Sequence, residues 1–466
     1  MKVSTSTATL FLSLAAARSH NYNGYKVFRL NTGPGNISEF LKNELNDFEY
    51  HVHDSTPLGD LSVAIAPDNI TAFEALRLEA SVLHEDLGAD IEAESGWGKL
   101  SVNEYTFAEA DAYTDNKWEL HPCFRAKGQW FEDWFTTYHQ FYEHMDFWDA
   151  VLSCFPGHSE NKKIGETFQS RDIRAIHLWG APGKESSDPP PALYFQANAL
   201  GRDWIATAVA EYVMLRLIND YLRGDEHAVE MLDQNDFYFV PVVNPDGFAE
   251  TQQDDRKWRK NLQMRQKSSC PGTNLNRNWP AYWGYLPKDD LSFFSCMPEF
   301  RGDKPSDSPE VATYIRFINN ILGDDLTKPK AQVIKLFIDW QAGGQRVLWP
   351  FHSKNHKFYK EDQHSKIADG FKRNLKRACT RGKYDNCKPW EVGRASKLAG
   401  DLSGTALDYM ALKIEPKLGK VEYAFAIQVR SKDGKFIVQR EEILPSGEEQ
   451  YAVVKHFALY RHIDGL

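Results

Sequence analysis

Apolar and polar residues alternate along Tyr25-Lys26-Val27-Phe28-Arg29-Leu30, Phe48 to His53 and Leu61 to Ala66, the two-residue period of half-buried strands. From Ile70 to His84 the spacing of Phe73, Leu76, Leu78 and Val82 changes to that of a helix, and Asp68-Asn69 before it supplies a cap. Residues 24–95 therefore predict a small α/β unit in the order strand, helix, strand, strand, helix, strand. Further on, Ala192 to Ala199 is a continuous apolar, aromatic-rich run that predicts a buried strand, and Phe237 to Val242 is a second. Arg202 to Leu222 carries Trp204, Ile205, Ala208, Val209, Tyr212, Val213, Leu215, Leu217 and Ile218 at helical spacing. Leu200-Gly201-Arg202-Asp203 is then a strand-to-helix turn, the usual place for chemistry in an α/β protein.

A chain of 466 residues exceeds one ordinary core, so two domains are expected, and 42% hydrophobic with 13% aromatic residues is enough to fill them. The net charge of −10, with no Lys/Arg cluster expected to provide a basic face, argues against a nucleic-acid partner. No segment is long and apolar enough for a bilayer, so no membrane partner is expected either. Residues 1–17 have the form of a secretory signal: Lys2, then the apolar stretch Ala8 to Ala15, then the small-residue end Ala15-Ala16-Ala17. A secreted, extracellular chain follows. The sequons Asn36-Ile37-Ser38 and Asn69-Ile70-Thr71 make Asn36 and Asn69 candidate glycosylation sites. Six cysteines without a C-x-x-C spacing favour disulfides over a zinc cluster and allow 15 pairings. Residues 96–131 read as an acidic linker, in which Lys99, Lys117, Arg125 and Lys127 are the basic candidates for a processing site and no dibasic pair occurs.

Five segments occur in a telling order. After the turn come Val243-Asn244-Pro245-Asp246-Gly247-Phe248, Lys257-Trp258-Arg259-Lys260 and Asn274-Leu275-Asn276-Arg277-Asn278-Trp279. Phe337-Ile338-Asp339-Trp340-Gln341 leads on to Trp349-Pro350-Phe351, and Phe425-Ala426-Ile427-Gln428-Val429-Arg430 closes the series. With these motifs the chain resembles the secreted metallocarboxypeptidases of the carboxypeptidase A/B type, the M14 peptidases. The resemblance implies that residues 132–466 form an α/β/α sandwich around a twisted mixed sheet of eight strands. It further implies that residues 24–95 correspond to the activation (pro) domain, a ferredoxin-like unit that covers the active-site mouth. In that family one disulfide brackets the segment around Asn276-Arg277, which implies Cys270 with Cys296. Cys379 and Cys387 are close enough to staple one loop, leaving Cys123 with Cys154.

The resemblance also assigns positions. The family's zinc ligands, a His and a Glu at the turn and a later His, fall on Leu200, Asp203 and Gln341. Leucine has no lone pair, aspartate is one methylene shorter than glutamate, and a neutral amide is a poor ligand. The general base falls on Gln428, which cannot take a proton at useful pH. The substrate-capping tyrosine lands on Gly400. The substrate-holding positions are kept: Asn276 and Arg277 for the terminal carboxylate, Arg259 for the scissile carbonyl, Arg202 for the next subsite and Leu407 for the floor of an apolar specificity pocket. Guanidinium groups suit a carboxylate in two-point fashion.

These residues imply a pseudoenzyme, with no cofactor, that binds a peptide or protein C-terminus. One competing reading is an active zinc carboxypeptidase that releases apolar C-terminal residues. The other is a structural protein of cell wall or matrix, with Arg259 and Arg277 in internal ion pairs, for instance with Asp203. The histidine pairs His51/His53 and His352/His356 have no third ligand in register and read as packing or surface residues. The sequence leaves the oligomeric state open.

Overall fold

Three strands of the N-terminal unit fall where the alternation places them: β1 Lys26–Asn31, β2 Tyr50–Ser55 and β3 Asp60–Ile65. In the computed structural model of the protein, residues 20–33, 36–56, 58–95, 119–128, 133–181, 189–266, 268–288, 290–323, 332–382, 384, 387–414, 420–431 and 436–459 are described. The signal segment and most of the linker lie outside them. Helices α1 (Ile37–Glu44), α2 (Ile70–Ala75) and α3 (Leu87–Ser95) and strand β4 (Ala80–His84) complete the unit. Its sheet runs β2-β3-β1-β4, antiparallel throughout. Phe28, Leu30, Leu61, Val63 and Ile65 fill one core with Ile37, Leu45 and Phe73 from the helices.

The helix expected over 70–84 stops at Ala75. Arg77 takes a positive φ of 52°, and residues 80–84 pair with β1 as an edge strand. Leu76 and Val82, expected on a buried helix face, are exposed. A short apolar run fits either period, and pairing with β1 decided it. Nor does Asn69 cap that helix by its side chain; its Oδ1 accepts a hydrogen bond from Glu49 N.

The larger unit holds β5 (Ser159–Glu166), β6 (Asp172–Leu178), β7 (Ala192–Ala197), β8 (Asp236–Val240), β9 (Ile334–Gln341), β10 (Arg346–Trp349), β11 (Glu391–Arg394) and β12 (Val421–Gln428). They form one mixed eight-stranded sheet, β11-β10-β12-β9-β7-β8-β6-β5, the central layer of an α/β/α sandwich. Around it lie α4 (Phe141–Leu152), α5 (Trp204–Leu222), α6 (Glu226–Gln234), α7 (Pro245–Gln253), α8 (Pro309–Ile321), α9 (Glu361–Arg381), α10 (Ala406–Leu412) and α11 (Ile443–Leu459). β7 has β8 and β9 as parallel neighbours and is buried along its length, which is why it reads as a continuous apolar run. α11 packs on both α5 and α9, and α5 is buried on nearly all sides.

Three disulfides join Cys123 to Cys154, Cys270 to Cys296 and Cys379 to Cys387. The first holds residues 119–128 on the larger unit, where Leu120 and Phe124 enter the main core and His121 N donates to Asn219 Oδ1. The C-terminal part of the expected linker is therefore anchored.

Strands β7, β9 and β12 run parallel and end together, with Ala197 opposite Trp340 and Gln341 opposite Gln428. The carboxyl ends of such strands are where an open α/β sheet offers a site.

Candidate functional site

The turn after β7 is built by close backbone approach. Asn198 has a positive φ of 61°, and a Cβ on Gly201 would come within 2.4 Å of the Gly247 carbonyl. Asn244 caps α7 by accepting from Gly247 N, and its amide nitrogen donates to the carbonyls of Ala199 and Arg259, each at 3.3 Å. One asparagine thus ties together the turn, the Asn-Pro-Asp-Gly segment and the Lys-Trp-Arg-Lys segment. Asp246 is equally structural: its buried carboxylate accepts from Thr167 Oγ1, Gln169 N and Arg171. Asn278 bonds Asp307 and the carbonyls of Arg301 and Lys304.

Leu200, Asp203, Gln341 and Gln428 come together at these strand ends. Asp203 sits at the N-cap of α5 without capping it; its Oδ2 instead accepts from Ala342 N at 3.1 Å. Gln341 donates to Asp339 Oδ2 at 2.8 Å, and Gln196 donates to Asp339 Oδ1 at 3.1 Å. Gln428 lies against Gly344, where a Cβ would meet its Oε1 at 2.5 Å. Burial pushes Asp203 up to about 6, against the pull of Arg202. Burial likewise pushes Asp339 up to about 6, against its two amide donors and with the Asp203 charge adding to the rise.

This donor set does not fit zinc. Leu200 has no donor atom, Asp203 and Gln341 are held in other bonds, and among the described residues no group of three or more His, Cys, Asp or Glu could hold a metal ion. Neither histidine pair supplies a replacement. His53 is buried between His84 and Phe436, and His356 stacks on Tyr282 with ring centroids 3.6 Å apart.

Two of the arginines are engaged by the N-terminal unit. Arg259 donates from Nη2 to Asp54 Oδ1 at 2.8 Å and from Nη1 to Glu299 Oε1 at 2.6 Å. Arg202 reaches Asp54 Oδ1 at 3.2 Å, donates to the His53 carbonyl and stacks its guanidinium 3.8 Å from the Phe436 ring centre. Burial alone would raise Asp54; the two arginines hold it below the usual carboxylate range. Ser55 Oγ donates to the same Glu299 oxygen at 2.8 Å. Arg259 is thus internally paired, with Asp54 and Glu299 as partners rather than Asp203.

Arg277 stands apart. Among the described residues it pairs with no carboxylate, and its Nη1 donates to the Asn276 carbonyl. Burial first, and the Arg259 charge second, lower its pKa to about 10. It lines a cavity of about 350 Å³ together with Leu286, Leu291, Leu402 and, from the N-terminal unit, Ile37 and Ser55. Asn276 is buried beside it, with its side-chain oxygen taken by Ala406 N. Leu407 lies inside α10, buried and away from the cavity lining. Gly400 adopts a φ of 91° and precedes Asp401 and Leu402, which do line the cavity. Gly404 is required where it is, since a Cβ there would lie 2.1 Å from the Arg277 carbonyl oxygen.

Sequence reasoning missed Asp54, Glu94, Arg256, Glu299 and Asp339. Glu94 and Arg256 make a two-point bond at 2.6 and 2.7 Å across the units, both buried, and Val438 N donates to Glu94 as well. Their partners lie far along the chain, beyond any local signal.

The same architecture is found in solved structures. The crystal structure of thrombin activatable fibrinolysis inhibitor superposes with a TM-score of 0.73 at 18% identity, covering 94% of this chain and 99% of that one. Carboxypeptidase A from Helicoverpa armigera gives 0.70 at 20% identity, covering 96% and 100%. The chain belongs to the zinc carboxypeptidase family, the M14 peptidases, whose model matches residues 144–453. Among curated relatives, the metallocarboxypeptidase A-like protein of Trichophyton verrucosum is 28% identical over 94% of both chains. Metallocarboxypeptidase A of Trichophyton rubrum is 27% identical over 95% of this chain and 94% of its own. A protein named inactive metallocarboxypeptidase ECM14, from Paracoccidioides brasiliensis, is 27% identical over 69% of this chain and 54% of its own length.

Proposed function

We propose that this chain is a secreted, catalytically inactive member of the family that binds peptide C-termini. Loss of catalysis is supported by Leu200, Gln341 and Gln428, which replace two metal ligands and the base with groups that neither bind zinc well nor accept a proton. Binding is supported by a single observation: Arg277, in no carboxylate ion pair among the described residues, lines a cavity whose wall combines Leu286, Leu291 and Leu402 with the polar side chains of Asp290, Glu299, Lys354 and Asp401. A peptide carboxylate would pair with that guanidinium, and Leu286, Leu291 and Leu402 would take an apolar terminal side chain.

Calorimetry with a peptide ending in free phenylalanine and with its amide tests the reading. The free acid should bind more tightly by about 1.5–3 kcal/mol, roughly tenfold to more than a hundredfold, and Arg277→Ala should remove the difference. Equal affinities would make the pocket a relic. Elemental analysis finding one zinc per chain, with chelator-sensitive release of C-terminal phenylalanine, would instead establish an active carboxypeptidase.

A further inference from the structure

The expectation of no Lys/Arg cluster does not hold: Lys372, Arg373, Lys376, Arg377 and Arg381 fall within one stretch of α9. Arg373, Lys376, Arg377 and Arg381 emerge on one exposed face, while Phe371, Leu375 and Cys379 turn into the core. Arg373, Arg377 and Arg381 follow at intervals of four, so the stripe is about 12 Å long at 1.5 Å per residue. Together with Lys376 and Thr380 they line a surface depression to which, among the described residues, no acidic or aromatic side chain contributes.

These cations are not neutralised internally. None of the four makes an ion pair with a carboxylate among the described residues, although the chain has 65 acidic against 55 basic residues and most of its arginines are paired. Their field is felt next door: after burial, the charges of Arg373 and Arg377 are what depress the proton affinity of His456 on α11. Cations in a last helical turn stabilise the helix, which accounts for Arg381. That effect dies within a turn and does not reach Arg373 or Lys376.

We propose that this face of α9 is a docking site for a linear acidic polysaccharide. A row of guanidinium groups in a depression that no carboxylate of the described residues lines matches a chain of regularly spaced sulfates or carboxylates. Two observations favour a polysaccharide over a nucleic acid. Binders of single strands add aromatic platforms to a basic groove, and the depression has none. Three disulfides also suit an oxidising compartment, where acidic polysaccharides are the polyanions met.

Fluorescence anisotropy of the full chain, with a labelled heparin dodecasaccharide as the sulfated probe and an oligogalacturonate as the carboxylated one, tests this. Binding to at least one probe should be measurable at 0.05 M salt and weaken at 0.15 M. Arg373→Ser/Arg377→Ser should lower affinity by roughly tenfold, whereas Lys42→Ser/Lys162→Ser, which removes the same charge elsewhere, should change it less than about twofold. The four positions are exposed, and the single change Arg377→Ser provides a second, milder variant that should show a partial loss. No binding at 0.05 M salt, equal losses in both double variants, or tighter binding of single-stranded DNA of matched length would each overturn the proposal.

Discussion

Asp54 and Arg259 stand 205 residues apart in sequence and 2.8 Å apart in space, and their ion pair joins the two units at the candidate site. The same carboxylate oxygen also serves Arg202. Replacing Asp54 with Ala should therefore weaken docking of the N-terminal unit more than it weakens the unit itself. Asp54 is 36% exposed, and each arginine keeps another partner, so the cost should be modest, about 1–2 kcal/mol. Urea unfolding should record that loss, and limited proteolysis should cut near residue 95 faster than in the parent protein.

Glu94 and Arg256 predict a larger effect, because both are almost wholly buried. Arg256→Met alone leaves the Glu94 carboxylate unpaired among apolar groups and should cost about 3 kcal/mol or more. The double variant Glu94→Leu/Arg256→Met removes the stranded charge as well, and should be the more stable of the two. Denaturation midpoints of the two variants decide the order.

The two buried carboxylates predict a pH dependence. Asp203 and Asp339 each titrate near 6 in the folded protein, above the ordinary value near 3.8. The folded chain then holds protons that the unfolded chain has released, so their contribution to stability falls as pH rises from about 4 to about 6 and is flat above about 7. Asp203→Asn keeps an acceptor for Ala342 N and abolishes one titration. Relative to the parent, it should gain stability between pH 4 and pH 7 by up to about 2–3 kcal/mol. Melting curves across that window check the sign; a relative loss would contradict it.

Restoring the base alone should not restore catalysis. On the proposed loss of zinc, Gln428→Glu creates a proton acceptor beside Gly344 but supplies no metal-bound water for it to act on, so no hydrolysis of C-terminal phenylalanine peptides is expected. The combined change Leu200→His, Asp203→Glu, Gln341→His and Gln428→Glu is the minimal set that rebuilds both donor set and base. Activity assays with and without added zinc distinguish the two variants.

Removing Cys123–Cys154 by paired serine substitution should free residues 119–128 from the larger unit. Its 31-residue separation suggests a loss of about 4 kcal/mol on the loop-entropy account. Thermal unfolding under oxidising conditions measures it.

Much of this was legible in the chain. The apolar run into Leu200-Gly201-Arg202-Asp203 placed the turn, and the motifs set Leu200, Gln341 and Gln428 at the positions of the family's ligands and base, an assignment that the activity assays test. Illegible were pairings set by the fold. The helical spacing holds at Phe73 in α2, but its expected continuation to Val82 gave way to strand pairing with β1, because tertiary hydrogen bonds outweigh a weak period. Asp54, Glu94 and Glu299 carry no local pattern; the arginines they pair with lie far along the chain or on another element. The basic run from Lys372 to Arg381 is legible in the sequence; what the fold adds is that Arg373, Lys376, Arg377 and Arg381 are exposed together on α9.

Asp54 has a last consequence. Its carboxylate is held on the same chain as the arginine it pairs with. Any outside carboxylate that needs Arg259 competes with it, and by linkage the two are mutually exclusive to the same degree. A peptide that takes Arg259 is then also an agent that loosens residues 20–95, and a substitution that tightens their docking inhibits the site without touching it.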